Sequence, residues 1–235
     1  MVHAHRRIFP QPIRIKASAT FEWVSEMPAH DDYSDSTSKL ANALFRSGCL
    51  KFGTFTIKSG VLSPYYVDIS WLLSSPSDFD CVTNLVAGRI EQLMASQRID
   101  KLASIELKGA LLLPSIACQL DLPSVAVRKT AKAYGLTGRI AGGTVTKGDH
   151  VLFFDDVVSK GTSKLEGIEP LERLGAKVNH IMVVVDREQG GKDTIENLGY
   201  KVHAISKITE LVKHLTHCSC ISKEQADSVL NYTKK

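Results

Sequence analysis

The stretch 151–163, which reads VLFFDDVVSKGTS, carries the strongest structural signal in the chain. Four apolar residues run directly into two carboxylates, Asp155 and Asp156, and a small-residue turn around Gly161 follows. A helical pattern begins at Ser163. An apolar run without alternation is typical of a parallel strand that is covered on both faces. The stretch therefore predicts a buried strand, a polar loop and a helix in an α/β protein.

The loop after the two acids has the composition of an anion site. Unpaired backbone N–H groups at a glycine turn and the positive end of a helix both favour a phosphate. The residues concerned are Ser159, Lys160, Gly161, Thr162 and Ser163. Ser163 and Glu166 also have the spacing of a capping box, which supports the helix start. The glycine, lysine and serine order of a nucleoside-triphosphate loop is absent.

Two acids before a phosphate-binding loop suit a ribose 5-phosphate, because carboxylates accept hydrogen bonds from vicinal ribose hydroxyls. The string FFDDVVSKGTS resembles the phosphoribosyl-pyrophosphate loop of type I phosphoribosyltransferases. An ordinary strand end with a capped helix is the alternative. The resemblance implies contacts with phosphoribosyl pyrophosphate from Asp155, Asp156, Val157, Val158, Ser159, Lys160, Gly161, Thr162 and Ser163.

A second motif lies in the segment 52–67, FGTFTIKSGVLSPYYV. Its aromatic and β-branched residues flank Ser-Gly and Ser-Pro pairs, which predicts two short strands with a turn between them. The string KSGxxSPYY resembles the amino-terminal signature of orotate phosphoribosyltransferases. The resemblance implies that Lys58 contacts orotate or pyrophosphate, and that Tyr66 and Val67, together with Ser159, contact orotate. A solvated hairpin lysine is the alternative for Lys58.

A third motif follows the predicted strand 101–105. Lys108 and Gly109 open a helix, so backbone N–H groups again face a possible anion. The position resembles the pyrophosphate loop of the same family, which implies that Lys108 contacts phosphoribosyl pyrophosphate. The sequence departs from the family pattern at Ser104, Ile105 and Glu106, where a small pair is usual. Glu106 would repel pyrophosphate unless it faces away or helps to hold hydrated magnesium.

The segment 128–143 combines cations with four glycines, which predicts a flexible basic loop rather than a packed element. A solvated hairpin is the alternative. The string RKxxKxYG resembles the hood of orotate phosphoribosyltransferases, whose cations grip pyrophosphate, some of them from the partner subunit. The resemblance therefore assigns Arg128, Lys129, Lys132 and Tyr134 to phosphoribosyl pyrophosphate. The position of Tyr134 often holds histidine in that family.

A fifth motif, DREQGG, follows the apolar strand predicted at 178–185. A guanidinium at the carboxyl end of a strand suits a planar carboxylate through two parallel hydrogen bonds. A salt bridge of Arg187 with Asp186 or Glu188 is the alternative. The motif resembles the orotate-binding segment of the same family, in which the arginine meets the base.

Strands alternate with helices along the chain, which predicts a mostly parallel sheet with helices on both faces. The resemblance adds the type I phosphoribosyltransferase fold, with a small amino-terminal β region and a flexible hood loop. We assign residues 37–235 to this domain. Residues 1–36 form an Arg-rich, acid-poor extension that has the composition of a transit peptide, a misassigned start or a disordered arm.

The composition is that of a single-domain globular protein of 235 residues, with 43% hydrophobic and 23% charged residues. A net charge of +4 is too small to indicate a nucleic-acid partner, and no apolar run is long enough to span a membrane. The five cysteines are odd in number, which favours buried thiols in a reducing compartment. We therefore expect a cytoplasmic protein, although the amino-terminal segment leaves organellar targeting open.

Together, these motifs imply an orotate phosphoribosyltransferase that forms orotidine 5′-monophosphate and pyrophosphate on the route to UMP. Lys132, Asp155 and Asp156 are the catalytic candidates. Magnesium is expected as the cofactor, held mainly by substrate oxygens and water, and a homodimer with the hood acting in trans is expected. Two alternatives stay open, a transferase for another base and a regulator that binds phosphoribosyl pyrophosphate.

Overall fold

A computed structural model describes residues 36–57, 60–132 and 138–234. The predictions for residues 1–35, for Lys58 and for Tyr134 lie outside these ranges. No helix in the described ranges is both long and apolar enough to cross a membrane.

The core of the domain is a six-stranded sheet, whose strands lie in the order β5 (Gly138–Ala141), β4 (Ser124–Lys132), β3 (Lys101–Ile105), β6 (His150–Val158), β7 (Lys177–Asp186) and β8 (Lys201–Lys207). All neighbouring pairs are parallel except β4 and β5, which are antiparallel. A separate antiparallel hairpin consists of β1 (Leu50–Thr56) and β2 (Leu62–Val67). The expectation of a mostly parallel sheet with a small amino-terminal β region is confirmed.

Helices cover both faces of the sheet. They are α1 (Ser36–Arg46), α2 (Pro76–Met94), α3 (Lys108–Gln119), α4 (Thr162–Arg173), α5 (Gly191–Glu196), α6 (Ile208–His217) and α7 (Lys223–Tyr232), with a 3₁₀ helix at Ile69–Ser74. The short helix α5 and the 3₁₀ helix were not predicted. Each has six residues, which are too few for a periodic pattern.

Alternate residues of β6 belong to two different hydrophobic cores. Leu152 and Phe154 pack in the core that includes α1, α2 and α6, whereas Val151 and Phe153 pack in the core that includes α4. Both phenylalanines are fully buried. The apolar run at 151–154 is therefore the consequence of a central strand that is covered on both faces.

Two local predictions were wrong. The sequence predicts a flexible loop from residue 128, but strand β4 continues to Lys132, where it pairs with Gly138 of β5. The described part of the segment 128–143 thus includes the two arms of a β-hairpin, which was the alternative to a flexible loop. The pairing with β5 satisfies backbone groups that a free edge of β4 would expose. Arg139 strengthens this pairing, since its Nε donates to the carbonyl of Arg128 at 2.8 Å.

The predicted capping box was also wrong. Helix α4 begins at Thr162, and its N-cap is Gly161 in the left-handed conformation with φ 86°, with no side-chain capping bond. Ser163 therefore lies inside the first turn rather than before it. The backbone turn at Gly161 replaces a capping side chain, so the first N–H groups of the helix stay available to a ligand.

Candidate active site

A cleft of about 360 Å³ opens at the carboxyl end of β6, between the first turns of α3 and α4. Ligands of open α/β sheets bind at this edge, where the strands lead into loops. The cleft is lined by Lys108, Asp156, Val157, Ser159, Lys160, Gly161, Thr162, Ser163 and Lys164. Eight of these nine residues were assigned from the sequence, and Lys164 was not.

The loop 159–161 takes its shape from close packing against α5. A β-carbon on Gly161 would lie 2.9 Å from Cγ1 of Ile195, and one on Gly191 would collide with the carbonyl of Ser159. Both positions therefore require glycine, and Gly161 also requires it for its positive φ. The loop curls over the start of α4, where backbone N–H groups and the hydroxyls of Thr162 and Ser163 can receive an anion.

The two adjacent acids differ in their surroundings. Asp155 accepts from Nζ of Lys164 at 2.7 Å and from the backbone N–H of Asp156 at 2.9 Å, and it does not line the cleft. Asp156 lines the cleft and is 7% exposed. Burial and the neighbouring charge of Asp155 raise the pKa of Asp156 to about 7, although the ammonium of Lys164 acts in the opposite direction.

Lys164 is a functional candidate that the sequence reading missed. Its ammonium donates to Asp155, to the carbonyl of Val157 and, at 3.3 Å, to Oγ of Ser163, and the residue is only 4% exposed. The signal was its position on α4, because Lys164 precedes Ile168 and Leu171 by four and seven residues. That spacing places a cation on the buried face of the helix.

Lys108 is held by an acid that was not predicted, Asp68, which directly follows β2. The Nζ atom of Lys108 lies 3.1 Å from Oδ1 of Asp68 and 5.8 Å from the centre of the Tyr66 ring. Burial alone would lower the pKa of Lys108, but the hydrogen bond to Asp68 and the nearby charge of Asp156 outweigh it and raise the pKa. This ion pair joins the predicted orotate-binding strand to the predicted pyrophosphate loop.

Glu106 faces the backbone of β4. Its Oε1 accepts from the N–H of Lys129 at 2.7 Å, and Glu106 is not among the residues that line the cleft. The carboxylate thus holds the loop before α3 against β4, which with β5 forms the basic hairpin. The glutamate that departs from the family pattern has a structural partner, which accounts for an acid next to a predicted anion site.

Arg187 lies on the other side of the phosphate loop. Its Nε donates to the phenol oxygen of Tyr65 at 3.2 Å, and Nη1 lies 3.4 Å from Oγ of Ser159. The Nη2 group is buried and has no hydrogen-bond partner among the described residues. A buried N–H group without a partner costs roughly 1–3 kcal/mol, so it indicates a ligand acceptor.

The alternative for Arg187, a salt bridge with a neighbouring acid, was wrong. Asp186 accepts instead from the N–H of Glu188 at 2.8 Å, and Glu188 accepts from the N–H of Thr209 at 3.0 Å. Both carboxylates therefore accept from backbone N–H groups, and the guanidinium of Arg187 contacts Tyr65 and Ser159 instead.

The remaining predicted residues have diverse positions. Tyr66 is 37% exposed, and Val67 and Val158 are buried, with Val158 in the core and its carbonyl accepting from the N–H of Arg187. Arg128 is half-buried and directs Nη1 towards carbonyls of β5, whereas Lys129 is exposed. The structure describes Lys132 through its backbone alone. Direct contacts of Asp155, Val158 and the hairpin cations with a substrate stay predictions.

The phosphoribosyl transferase domain matches residues 70–208 of this chain. An orotate phosphoribosyltransferase from Pyrococcus horikoshii is 36% identical over 188 residues, which cover 80% of this chain and 97% of that protein. The solved structure of UMP synthase from Leishmania donovani has a TM-score of 0.75 and 31% identity over 84% of this chain, and the match spans 42% of that protein.

A solved orotate phosphoribosyltransferase from Aeropyrum pernix is similar in fold, with a TM-score of 0.65 and 25% identity. It is matched over 99% of its length and 75% of this chain. Residues 70–208, which match the phosphoribosyl transferase domain, include the cleft, its acids and the phosphate loop. This chain therefore belongs to the phosphoribosyl transferase domain family, among relatives that are named orotate phosphoribosyltransferase.

Proposed function

We propose that this protein is an orotate phosphoribosyltransferase, which joins orotate to the ribose of phosphoribosyl pyrophosphate and releases pyrophosphate. The relatives that carry this name, and those named UMP synthase, support a role in pyrimidine biosynthesis. One observation carries the choice of base: the buried Nη2 of Arg187 lacks a partner among the described residues, beside a loop suited to phosphate.

The sugar phosphate fits the cleft by its charge and hydrogen-bonding groups. The 5′-phosphate would accept from the N–H groups and hydroxyls of 161–163, at the positive end of α4. Asp156 is the acid that lines the cleft, so it is the acceptor for a ribose hydroxyl. These contacts would fix the C1 carbon of the ribose relative to the base.

Orotate carries a carboxylate, which suits the two-pronged donor geometry of a guanidinium. Arg187 is already oriented by Tyr65, and its Nη1 is near Ser159, at the start of the phosphate loop. The base would therefore bind between Arg187 and the hairpin residues Tyr66 and Val67, with Lys58 as a further candidate. A base that lacks the carboxylate would leave the guanidinium unpaired.

The reaction needs no covalent enzyme intermediate. As the bond from C1 to pyrophosphate lengthens, positive charge develops on the ribose and negative charge on the leaving group. Donors that meet the leaving group stabilise this separation of charge. We assign that role to Lys108 in the cleft and to the cations Arg128, Lys129 and Lys132 of the basic hairpin.

Magnesium fits this site as a partner of the substrate. Among the described residues, no group of three His, Cys, Asp or Glu side chains is arranged to hold a metal ion. The phosphate oxygens of the substrate and water are the donors expected to hold the ion, and oxygen donors are those that magnesium prefers. The ion would supply charge neutralisation on the pyrophosphate, while the residues of this chain orient the two substrates.

We further propose a homodimer in which the hood of one subunit serves the site of the other. Exposed apolar side chains support an interface, since Trp71 and Leu73 lie on the 3₁₀ helix that packs against α3, and Leu107 precedes α3. Their exposed fractions are 49%, 53% and 63%. The free cysteines of the described chain suit the reducing cytoplasm, which we propose as the compartment.

The test is consumption of orotate by the purified full chain in the presence of phosphoribosyl pyrophosphate and magnesium. We expect turnover with orotate and little turnover with uracil, hypoxanthine or adenine. Omission of magnesium should reduce the rate. Equal or faster turnover with another base would contradict the assignment, and so would binding of phosphoribosyl pyrophosphate without turnover of any base.

A further inference from the structure

Lys164 is a buried cation that nothing in the proposed reaction uses. It lies on the first turn of α4 at 4% exposure, and it lines the cleft. Its three N–H donors meet three acceptors, which are the carboxylate of Asp155, the carbonyl of Val157 and Oγ of Ser163. A lysine that is buried and fully bonded has a single defined position.

We propose that Lys164 is a positioning residue that holds Asp155 beneath the cleft as its counterion and leaves Asp156 as the acid that meets the ribose. This inference rests on the proposed function, since it assigns the two acids different roles in that reaction. The inference follows from the different surroundings of the two carboxylates. The motif alone assigns the same role to Asp155 and Asp156.

The packing around the two acids supports this division. A β-carbon on Gly109 would lie 2.8 Å from Oδ1 of Asp155, so the first turn of α3 packs closely against that carboxylate. Oδ1 of Asp155 also accepts from the N–H of Asp156. With Lys164 on its other oxygen, Asp155 has protein contacts on both sides.

The charges near Asp156 come from three elements. They are Asp155 on the same strand, Lys164 on α4 and Lys108 on α3, which is itself paired with Asp68. Because Lys164 and Asp155 neutralise each other, the floor of the cleft presents one net negative charge instead of two. A polyphosphate substrate is repelled less by one charge than by two.

The same ammonium also secures the phosphate loop. It joins Asp155 and Val157 at the end of β6 to the first turn of α4, and the residues between them bind the 5′-phosphate in the proposed reaction. Loss of Lys164 should therefore weaken binding of phosphoribosyl pyrophosphate more than it changes binding of orotate.

The experiment measures the titration of Asp156 in the unliganded protein by ¹³C NMR of its carboxyl carbon, with assignment by Asp156→Asn. We expect Lys164→Met to raise the midpoint by about one pH unit or more, because two buried acids then lack their cation. Asp155→Asn should lower it, because the ammonium loses its counterion, and the double variant should return it close to the wild-type value. Lys213→Met, an exposed lysine on α6, is the matched control and should change nothing.

An unchanged midpoint in Lys164→Met would overturn the proposal. If Lys164→Met does not fold, Asp155→Asn is the deciding variant. A titration midpoint of Asp156 that does not fall in Asp155→Asn would also contradict the proposal. Binding of phosphoribosyl pyrophosphate by the wild-type protein is measured separately by calorimetry. Its absence would contradict the proposed function, whereas the titration tests the pairing of Lys164 by itself.

Discussion

Arg187 and Tyr65 form a contact that joins the main sheet to the small amino-terminal hairpin. The Nε atom of Arg187 lies 3.2 Å from the phenol oxygen of Tyr65, and the guanidinium carbon lies 4.9 Å from the centre of its ring. Tyr65 is fully buried, and Tyr232 of α7 packs edge-on against it at 6.0 Å. The arginine proposed to recognise orotate is therefore oriented by Tyr65, whose ring is itself packed against the carboxyl-terminal helix α7.

Arg187→Lys should impair recognition of orotate. Lysine keeps the charge but loses the planar fork that meets a carboxylate with two hydrogen bonds. We expect the KM for orotate to rise about 100-fold, which corresponds to about 3 kcal/mol. The KM for phosphoribosyl pyrophosphate at saturating orotate is the internal reference and should change far less. A comparable rise in both constants would place Arg187 outside the base site.

Tyr65→Phe tests how Arg187 is oriented. The substitution keeps the ring beneath the guanidinium and removes only the acceptor of Nε. Loss of one such bond costs about 1 kcal/mol, so the KM for orotate should rise about fivefold. Tyr200→Phe is the control, because Tyr200 donates to the exposed Glu172 instead. Equal effects of the two substitutions on orotate binding would argue against the positioning role.

Much of the fold could be read from the sequence because its signals are local. The strand 101–105 and the apolar strand that ends before Arg187 follow from hydrophobic runs and their flanking turns. The hairpin of β4 and β5 did not follow, since its glycines and cations indicate exposure but not backbone pairing. That pairing requires a strand with a free edge, and the sequence pattern does not indicate which strand lies at the edge of the sheet.

The candidate site was predictable where its residues stand together in a motif. The acids and the loop 159–163 are contiguous, so they were found. Asp68 and Lys164 were not found, because each acts on a partner that is distant in sequence or on another element. The orientation of Glu106 towards the N–H of Lys129 likewise depends on the parallel pairing of β3 with β4.

Gly161→Ala should disturb both folding and substrate binding. Gly161 has φ 86°, and an added β-carbon would lie 2.9 Å from Ile195. We expect a loss of about 1–3 kcal/mol in the free energy of unfolding, from backbone strain and steric overlap together. Urea denaturation measures this loss, and calorimetry with phosphoribosyl pyrophosphate measures the accompanying loss of affinity.

Gly190→Ala is the matched control for that substitution. Gly190 has φ 77°, but no atom lies within 4 Å of the position that its β-carbon would take. It should therefore show the cost of backbone strain alone. If Gly161→Ala were no more destabilising than Gly190→Ala, the packing of the loop against α5 would not matter for stability.

The affinity for phosphoribosyl pyrophosphate should fall at acidic pH. Asp156 has a pKa raised to about 7, so it is ionised above that value and protonated below it. The protonated acid is a weaker acceptor for a ribose hydroxyl, and the KM should approach a tenfold rise for each pH unit below the pKa. The measurement is kcat/KM for phosphoribosyl pyrophosphate between pH 5.5 and 8.5 (a range of about one and a half units either side of the pKa).

Ionisation of the substrate phosphates, with a second pKa near ~6, overlaps that range. Asp156→Asn separates the two effects, because it removes the carboxyl group and leaves the substrate unchanged. The variant should bind more weakly at high pH and retain only the pH dependence of the substrate. An acid limb identical to that of the wild-type protein would assign the titration to the phosphates instead.

Lys132→Ala should lower kcat by on the order of 10²-fold, as expected for the loss of one donor that stabilises the leaving group.

If the hood acts in trans, each active site combines Asp156 of one subunit with Lys132 of the other. A mixture of Lys132→Ala and Asp156→Asn subunits, denatured and refolded together, would then contain heterodimers with one intact site. Random pairing predicts recovery of about a quarter of wild-type activity, although each parent variant is nearly inactive. In a cis arrangement, one subunit of the heterodimer would carry Lys132→Ala and the other Asp156→Asn, so no intact site would form and the mixture would stay inactive.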